Sequence, residues 1–156
     1  MGIADTILSL HPGDNLGARY ELIRIIGRGG MGVVWLAHDH RLDARPVALK
    51  VLPAALSTDK RAVARLKAEA ARNMDLTHPN IVRLHTFDQD PTRQDVAFLV
   101  MQYIEGQTLN DLLADYPDGL PIERARLWLE QIARAIDHAH SKSSQLRDNK
   151  PGNINI

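Results

Sequence analysis

A glycine-rich run between two β-rich stretches constrains the fold of this chain more than any other feature. The run reads Gly-Arg-Gly-Gly-Met-Gly over residues 27–32, and a later apolar stretch, Val-Ala-Leu-Lys over residues 47–50, ends in a lone lysine. Glycine lets a backbone approach phosphate oxygens without a Cβ in the way, and the lysine supplies a mobile positive charge at the same place. With Val34 two residues after the last glycine, the spacing predicts a hairpin that covers the phosphates of a nucleotide.

The composition is that of one domain, or part of one, in 156 residues of which 44% are hydrophobic. The 19 basic residues balance the 19 acidic residues, so no basic excess is present to neutralise a nucleic-acid backbone, and we expect no nucleic-acid partner. The absence of cysteine excludes disulfides and thiolate metal sites. No apolar run approaches the ~20 residues that span a bilayer, and no signal peptide is visible, so we expect a cytoplasmic protein.

The hydrophobic pattern predicts three strands, one helix and two further strands, in that order. The predicted strands cover residues 20–26, 33–37, 45–52, 81–85 and 96–101. The predicted helix covers residues 57–76, with Ser57, Thr58 or Asp59 as its N-cap. One face of this helix carries Ala62, Leu66, Glu69, Ala70 and Asn73. This order of elements favours an antiparallel sheet with a helix packed on it.

Two more helices are predicted after a short connector. The first covers residues 108–113, and the second opens with Pro121 in its first turn. The second helix has an apolar stripe formed by Ala125, Trp128, Leu129, Ile132, Ile136 and Ala139. Such a stripe is core where other elements cover it, and exposed it predicts self-association or a surface for a partner protein.

With these elements in place, the chain resembles the protein kinase family, and within it the bacterial Ser/Thr kinases of eukaryotic type. The resemblance covers residues 15–156 and rests on the glycine run, on Leu-Gly-Ala-Arg-Tyr at residues 16–20, on Lys50, and on Leu-Arg-Asp-Asn-Lys-Pro-Gly-Asn at residues 146–153. It implies an α+β fold: a kinase small lobe, with a five-stranded antiparallel sheet and one helix, then a hinge and the first helices of an incomplete helical large lobe.

The resemblance also implies domain boundaries. It implies a small lobe over residues 19–101, a hinge over residues 102–106 and a partial large lobe over residues 107–156 that ends in the catalytic loop. The turn residues at 11–14 independently indicate a leader over residues 1–18.

By the same resemblance, ATP binds against the sheet. Its phosphates are covered by Gly27, Gly29 and Gly32, and its adenine packs against Val34 and Ala48. Lys50 holds the α- and β-phosphates, and Glu69 orients Lys50 through an ion pair. Met101 is the gatekeeper at the back of the adenine site, and the hinge presents backbone groups from Gln102 to Ile104.

Phosphoryl transfer is assigned by resemblance to three residues near the end of the sequence. Asp148 accepts the proton of a protein Ser or Thr hydroxyl, Lys150 steadies the γ-phosphoryl group, and Asn153 binds Mg²⁺. These are the physical needs of the reaction: cations around the phosphates, a metal bridge and an oriented hydroxyl.

The sequence departs from the family pattern in two ways. Polar or unusual residues stand at Asn73, Gln145, Leu146, Asn149 and Asn155. The family also places an Asp-Phe-Gly metal site and an activation segment after Asn153, and neither is present, as in a truncated kinase. We therefore expect weak or no transfer by this chain alone. The alternative is a catalytically dead kinase-like module that binds nucleotide or a partner protein, including another kinase.

Overall fold

The computed structural model describes residues 9–29, 32–93, 96–142 and 154–155. The chain forms two compact units, the first from Met1–Asp75 and Arg83–Tyr103, and the second from Leu76–Val82 and Ile104–Ile156. Within the described ranges, no helix combines the length and the apolar character that crossing a membrane requires.

The first unit is built on an antiparallel sheet. Its strands are β1 (Asn15–Leu16), β2 (Tyr20–Gly29), β3 (Gly32–Asp39), β4 (Arg45–Val51), β5 (Leu84–Gln89) and β6 (Ala97–Gln102). Among the described residues the sheet has six strands in the order β1-β2-β3-β4-β6-β5. The predicted antiparallel sheet is confirmed, and the two-residue strand β1 adds to the five strands expected from the sequence.

One face of the sheet, which we call the core face, carries the hydrophobic core. Alternate residues of β3, β4 and β6 point to this face, and Trp35, Leu49 and Phe98 are each no more than 2% exposed. Leu10 and Leu16 belong to the same cluster, so the residues just ahead of β2 help to cover the core face. The ring of Phe98 meets the ring of Tyr20 edge-on at 5.9 Å between centroids.

Two helices follow β4. Helix α1 covers Ala54–Thr58 and helix α2 covers Lys60–Met74. The sequence predicted one helix over residues 57–76, but Asp59 is extended (φ −81°, ψ 107°) and its side chain accepts hydrogen bonds from the backbone N–H groups of Arg61 and Ala62. Asp59 therefore ends one helix and caps the next. The strand predicted at residues 81–85 begins later, at Leu84, because Ile81 closes a turn onto the carbonyl of His78 at 3.1 Å.

Two buried carboxylates hold the residues ahead of β2 against the sheet. Asp39 accepts hydrogen bonds from Nε and one terminal nitrogen of the Arg19 guanidinium at 2.7 and 2.6 Å, and this hydrogen bonding lowers the pKa of Asp39. Asp90, 3% exposed, accepts hydrogen bonds from the backbone N–H of Gly17 and from the hydroxyl of Thr92 at 2.8 and 2.6 Å. Burial alone would raise the pKa of Asp90, but these hydrogen bonds and those from the Thr92 and Arg93 backbone outweigh it and lower the pKa.

We expect Asp90→Asn to lower the free energy of unfolding at neutral pH by about 1–3 kcal/mol, because the amide would turn a donor toward the Gly17 N–H. A carboxylate whose folded pKa is depressed stabilises the fold above its unfolded pKa and loses that effect as pH falls through the folded pKa. The deficit of the variant should therefore shrink below about pH 4. Urea unfolding at pH 7 and pH 3 measures both effects. Asp88→Asn, at an exposed carboxylate on β5, is the control, and an equal deficit in the two variants would contradict the prediction.

The second unit contains helix α3 (Leu109–Ala114) and helix α4 (Ile122–Ser141). Thr108 caps α3 through a capping box with Asp111. Ile154 accepts a hydrogen bond from the Leu109 N–H at 2.7 Å, and Asn155 forms an antiparallel bridge with Thr108.

The predicted apolar stripe of α4 is only partly buried. Ala139 is fully buried, as expected, but Leu129 is 64% exposed and Ala135, which was not in the predicted stripe, is 5% exposed. Ala135 and Ala139 are four residues apart and therefore lie on the same side of α4. Leu129 lies next to this buried side and is not part of it.

Candidate functional site

The face of the sheet opposite the core holds the residues expected to contact a nucleotide. We call it the lysine face and define it by Val34, Ala48, Lys50, Leu99 and Met101. Successive strand registers align Gly27 with Val34, Val34 with Lys50, and Lys50 with Leu99. Because cross-strand partners share a face and strands lie about 4.8 Å apart, Gly27 is about 10 Å from Lys50 along this row.

A second row of the lysine face runs parallel to the first. Ala48 is registered with Leu36 on one side and with Met101 on the other. Ala48 is 6% exposed, while Val34, Leu99 and Met101 are half-buried. The core face is therefore closed, whereas the lysine face keeps apolar surface accessible next to a single lysine.

The three glycines at the ends of β2 and β3 differ in what the fold requires of them. At Gly32 the backbone has φ +121°, and a Cβ would collide with the carbonyl oxygen of Val51. At Gly29 a Cβ would meet no described residue within 4 Å apart from its chain neighbours, and at Gly27 it would make only ordinary contact with Val34. Of these three positions, packing requires glycine only at Gly32. At Gly29 the missing side chain instead leaves the backbone accessible to an approaching ligand. Gly29 and Gly32 are registered partners, and residues 30 and 31 between them lie outside the described residues.

Lys50 lies in β4 with its side chain half-buried, and Glu69 lies in α2, also half-buried. Neither residue has an ion-pair partner within 4.0 Å among the residues that the structure describes. The ion pair expected between Lys50 and Glu69 is therefore open here, and no carboxylate of the described residues pairs with the ammonium of Lys50. A half-buried, unpaired cation on an apolar surface favours binding of an anionic ligand.

The helix α2 that carries Glu69 contacts strand β5. Lys67 lies over the ring of Phe87, with its ammonium 5.7 Å from the ring centroid. Phe87 is registered with Leu99, which in turn is registered with Lys50. Of the five residues predicted to share one face of the helix, Ala70 is buried and the others are half-buried. Val63, which was not among them, is 8% exposed.

The predicted hinge begins where β6 ends. Gln102 is exposed, donates its backbone N–H to the carbonyl of Arg83 at 2.8 Å, and accepts from the Arg83 N–H through its side chain at 3.4 Å. Ile104 is half-buried and belongs to the second unit. Beside this strand end, burial lowers the pKa of His85, and the charges of Arg83 and Arg45 lower it further.

The three residues assigned to phosphoryl transfer, Asp148, Lys150 and Asn153, lie outside the described residues. Across the described ranges, no group of three or more His, Cys, Asp or Glu side chains could hold a metal ion.

Sequence reasoning missed Leu99 and Leu36 as parts of the lysine face. In β6 both faces are apolar, since Ala97, Leu99 and Met101 alternate with Phe98 and Val100. Period-two alternation therefore cannot tell which set faces the ligand. The register to Lys50, which only the folded sheet supplies, makes the distinction.

A family model described as protein kinase domain matches residues 20–156, and the chain belongs to this family. Its relatives include the serine/threonine-protein kinase PknA of Mycobacterium tuberculosis, 40% identical over 96% of this chain, and PrkC of Bacillus subtilis, 38% identical over 92%. The chain spans 35% and 22% of the lengths of these two relatives. The crystal structure of the Mycobacterium tuberculosis PknI kinase domain matches with a TM-score of 0.76 and 28% identity, over 93% of this chain and 57% of that chain.

Proposed function

We propose that this chain binds ATP on the lysine face of its first unit, and that it serves as part of a Ser/Thr protein kinase acting in the cytoplasm. The single observation that carries the nucleotide proposal is the row from Gly27 through Val34 to Lys50, a lysine that has no ion-pair partner in the described part of the chain. In this proposal the first unit is the small lobe, and the second unit begins the large lobe.

The residues of the lysine face fit the chemical parts of ATP. The open space at Gly29 suits phosphate oxygens that approach the backbone, and Lys50 supplies the charge for the α- and β-phosphates. The apolar surface of Val34, Ala48 and Met101 suits the flat adenine ring. When the nucleotide is bound, Glu69 forms an ion pair with Lys50. This ion pair holds the Lys50 ammonium in the orientation in which it contacts the phosphates.

For transfer, we propose the roles that the family resemblance implies. Asp148 takes the proton of the attacking Ser or Thr hydroxyl, Lys150 neutralises charge on the γ-phosphoryl group, and Asn153 contributes an oxygen ligand to Mg²⁺. The metal supplies charge neutralisation between the β- and γ-phosphates when it is bound. The substrates in this proposal are protein Ser and Thr hydroxyls.

Calorimetry tests the binding step directly. We expect the purified chain to bind ATP, and ATP at 100-fold over its dissociation constant to raise the free energy of unfolding by about 2.7 kcal/mol. Urea unfolding with and without ATP measures this rise. A folded chain that takes up no adenine nucleotide would overturn the proposal.

Phosphate incorporation separates the kinase from the catalytically dead module. The chain is incubated with Mg-ATP labelled at the γ-phosphate and with a generic protein substrate, alongside Asp148→Asn. Transfer that disappears in the variant supports the enzyme. ATP binding without transfer is expected both of a nucleotide-binding module and of a kinase chain that lacks the Asp-Phe-Gly metal site, so only transfer decides between the two.

A further inference from the structure

We propose that Ser57 is a positioning residue that sets where helix α2, and with it Glu69, stands relative to Lys50. This inference rests on the proposed function, in which Lys50 contacts phosphate and Glu69 orients Lys50.

Ser57 is a polar residue in a buried place. It is 4% exposed and lies near the end of α1, two residues ahead of the Asp59 cap of α2. Its hydroxyl donates to the carbonyl of Pro53 at 3.3 Å and accepts from the backbone N–H of Ala97 at 3.1 Å. The side-chain amide of Gln89 donates to the Ser57 carbonyl at 3.4 Å. Residues of two neighbouring strands, β5 and β6, are therefore bonded to Ser57. We call the short segment of residues 57–59, which leads into α2, the root of α2.

The contact with Ala97 joins the two halves of the site. The carbonyl of Ala97 accepts from the N–H of Leu52 at 2.9 Å, and Leu52 follows Lys50 by two residues. The backbone N–H of Ala97 donates to the hydroxyl of Ser57. Ala97 is thus bonded through its oxygen to the residue that follows strand β4 of Lys50, and through its nitrogen to Ser57 in α1, just ahead of the helix that carries Glu69.

The length of α2 makes the position of its root important. Ten residues separate the Asp59 cap from Glu69, which is about 15 Å of helix. A tilt of about 10° at the root would displace Glu69 by roughly 2.6 Å at this distance, more than the tolerance of an ion pair. A fixed start of α2 therefore limits how far Glu69 can be displaced from a position in which it reaches Lys50 when the nucleotide is bound.

The neighbouring hydroxyl of Thr58 offers a matched control. Thr58 donates to the carbonyl of Ala54 at 3.0 Å, four residues back, in the same way that Ser57 donates to Pro53. Thr58 is exposed, and no strand donates to its hydroxyl among the hydrogen bonds of the described residues. Ser57→Ala and Thr58→Ala each remove a hydroxyl that donates to a carbonyl of α1 or its cap. Only Ser57→Ala also removes the acceptor of the Ala97 N–H.

Hydrogen exchange under native conditions tests the fastening of α2 without any nucleotide. We expect Ser57→Ala to speed exchange of the α2 amides about tenfold, because it leaves the Ala97 N–H buried without its acceptor and frees the helix root. Exchange in β2 and β3 should stay unchanged, and Thr58→Ala should behave as the unmodified chain. Should Ser57→Ala prevent folding, Gln89→Ala gives a milder version, with faster α2 exchange of smaller size. Equal effects of Ser57→Ala and Thr58→Ala, or acceleration spread evenly over the first unit, would overturn the inference.

A double-mutant cycle on ATP affinity tests the link to Glu69. We expect Glu69→Gln to weaken ATP binding about tenfold in the unmodified chain and less than about twofold in the Ser57→Ala background. Effects that add in full would overturn the positioning role. If the unmodified chain binds no ATP, the proposed function is wrong. The inference that Ser57 positions Glu69 for nucleotide binding is then wrong as well. The exchange comparison would still decide separately whether Ser57 fastens α2.

Discussion

Lys50→Met should weaken ATP binding about 100-fold, because it removes the positive charge of the lysine face that the triphosphate would contact on a half-buried apolar surface. Methionine keeps the length and the apolar part of the side chain, so the change isolates the charge. Lys50 has no ion pair to lose among the described residues, and we expect the free energy of unfolding to change by less than about 0.5 kcal/mol. Isothermal titration calorimetry at constant ionic strength measures the affinity, since salt screens the ammonium–phosphate attraction.

Lys60→Met is the matched control for this experiment. Lys60 is exposed at the first residue of α2, away from the row of Gly27, Val34 and Lys50. Its loss changes the net charge by the same amount, and we expect ATP affinity to stay within about twofold. If the two variants bind ATP equally well, Lys50 does not contact the nucleotide.

Gly32→Ala should lower the free energy of unfolding by about 3 kcal/mol or more. The backbone there has φ +121°, which side chains with L configuration rarely adopt, and the added methyl would collide with the Val51 carbonyl. A strained backbone and an overpacked contact each cost about 1–3 kcal/mol. Relief of the collision requires β3 to move away from β4, which carries Lys50. Urea unfolding measures the loss, and a near-neutral result would contradict the hairpin geometry.

Gly29→Ala should behave in the opposite way. Apart from its chain neighbours, no described residue has a heavy atom within 4 Å of a Cβ at this position, so we expect stability unchanged or raised by up to about 1 kcal/mol. ATP affinity should nevertheless fall about tenfold, because the methyl would occupy space that phosphate oxygens need. Loss of affinity with intact stability would assign Gly29 to the ligand. Unchanged affinity would show that the phosphates do not approach this residue.

The local parts of the fold could be predicted from the sequence because local chemistry determines them. The glycine run predicted the hairpin of β2 and β3, and the candidates for a helix cap included Asp59. The break between α1 and α2 could not be foreseen, since it depends on Asp59 serving as the end of one helix and the cap of another. The alternation of β4 likewise predicted a strand, but not which face would be covered.

Contacts between distant residues account for most of what the sequence did not reveal. Ser57 reads as a possible cap, and only the folded chain brings it to Ala97, forty residues later. The same holds for Asp90, which reads as part of a polar turn and in the structure holds Gly17. In both cases a single polar residue acquires its role from burial against a backbone group that sequence spacing does not indicate.

The residues ahead of β2 bear on where this domain can be cut for recombinant work. The family match begins at residue 20, yet Leu10 and Leu16 belong to the hydrophobic cluster and Gly17 is bonded to Asp90. A clone that starts at the family boundary would uncover Phe98, whose ring edge lies 3.3 Å from where a Gly17 Cβ would be. It would also leave the Asp90 carboxylate short of a donor. A recombinant version of this domain should therefore begin at or before Leu10, at least ten residues ahead of the start of the family match.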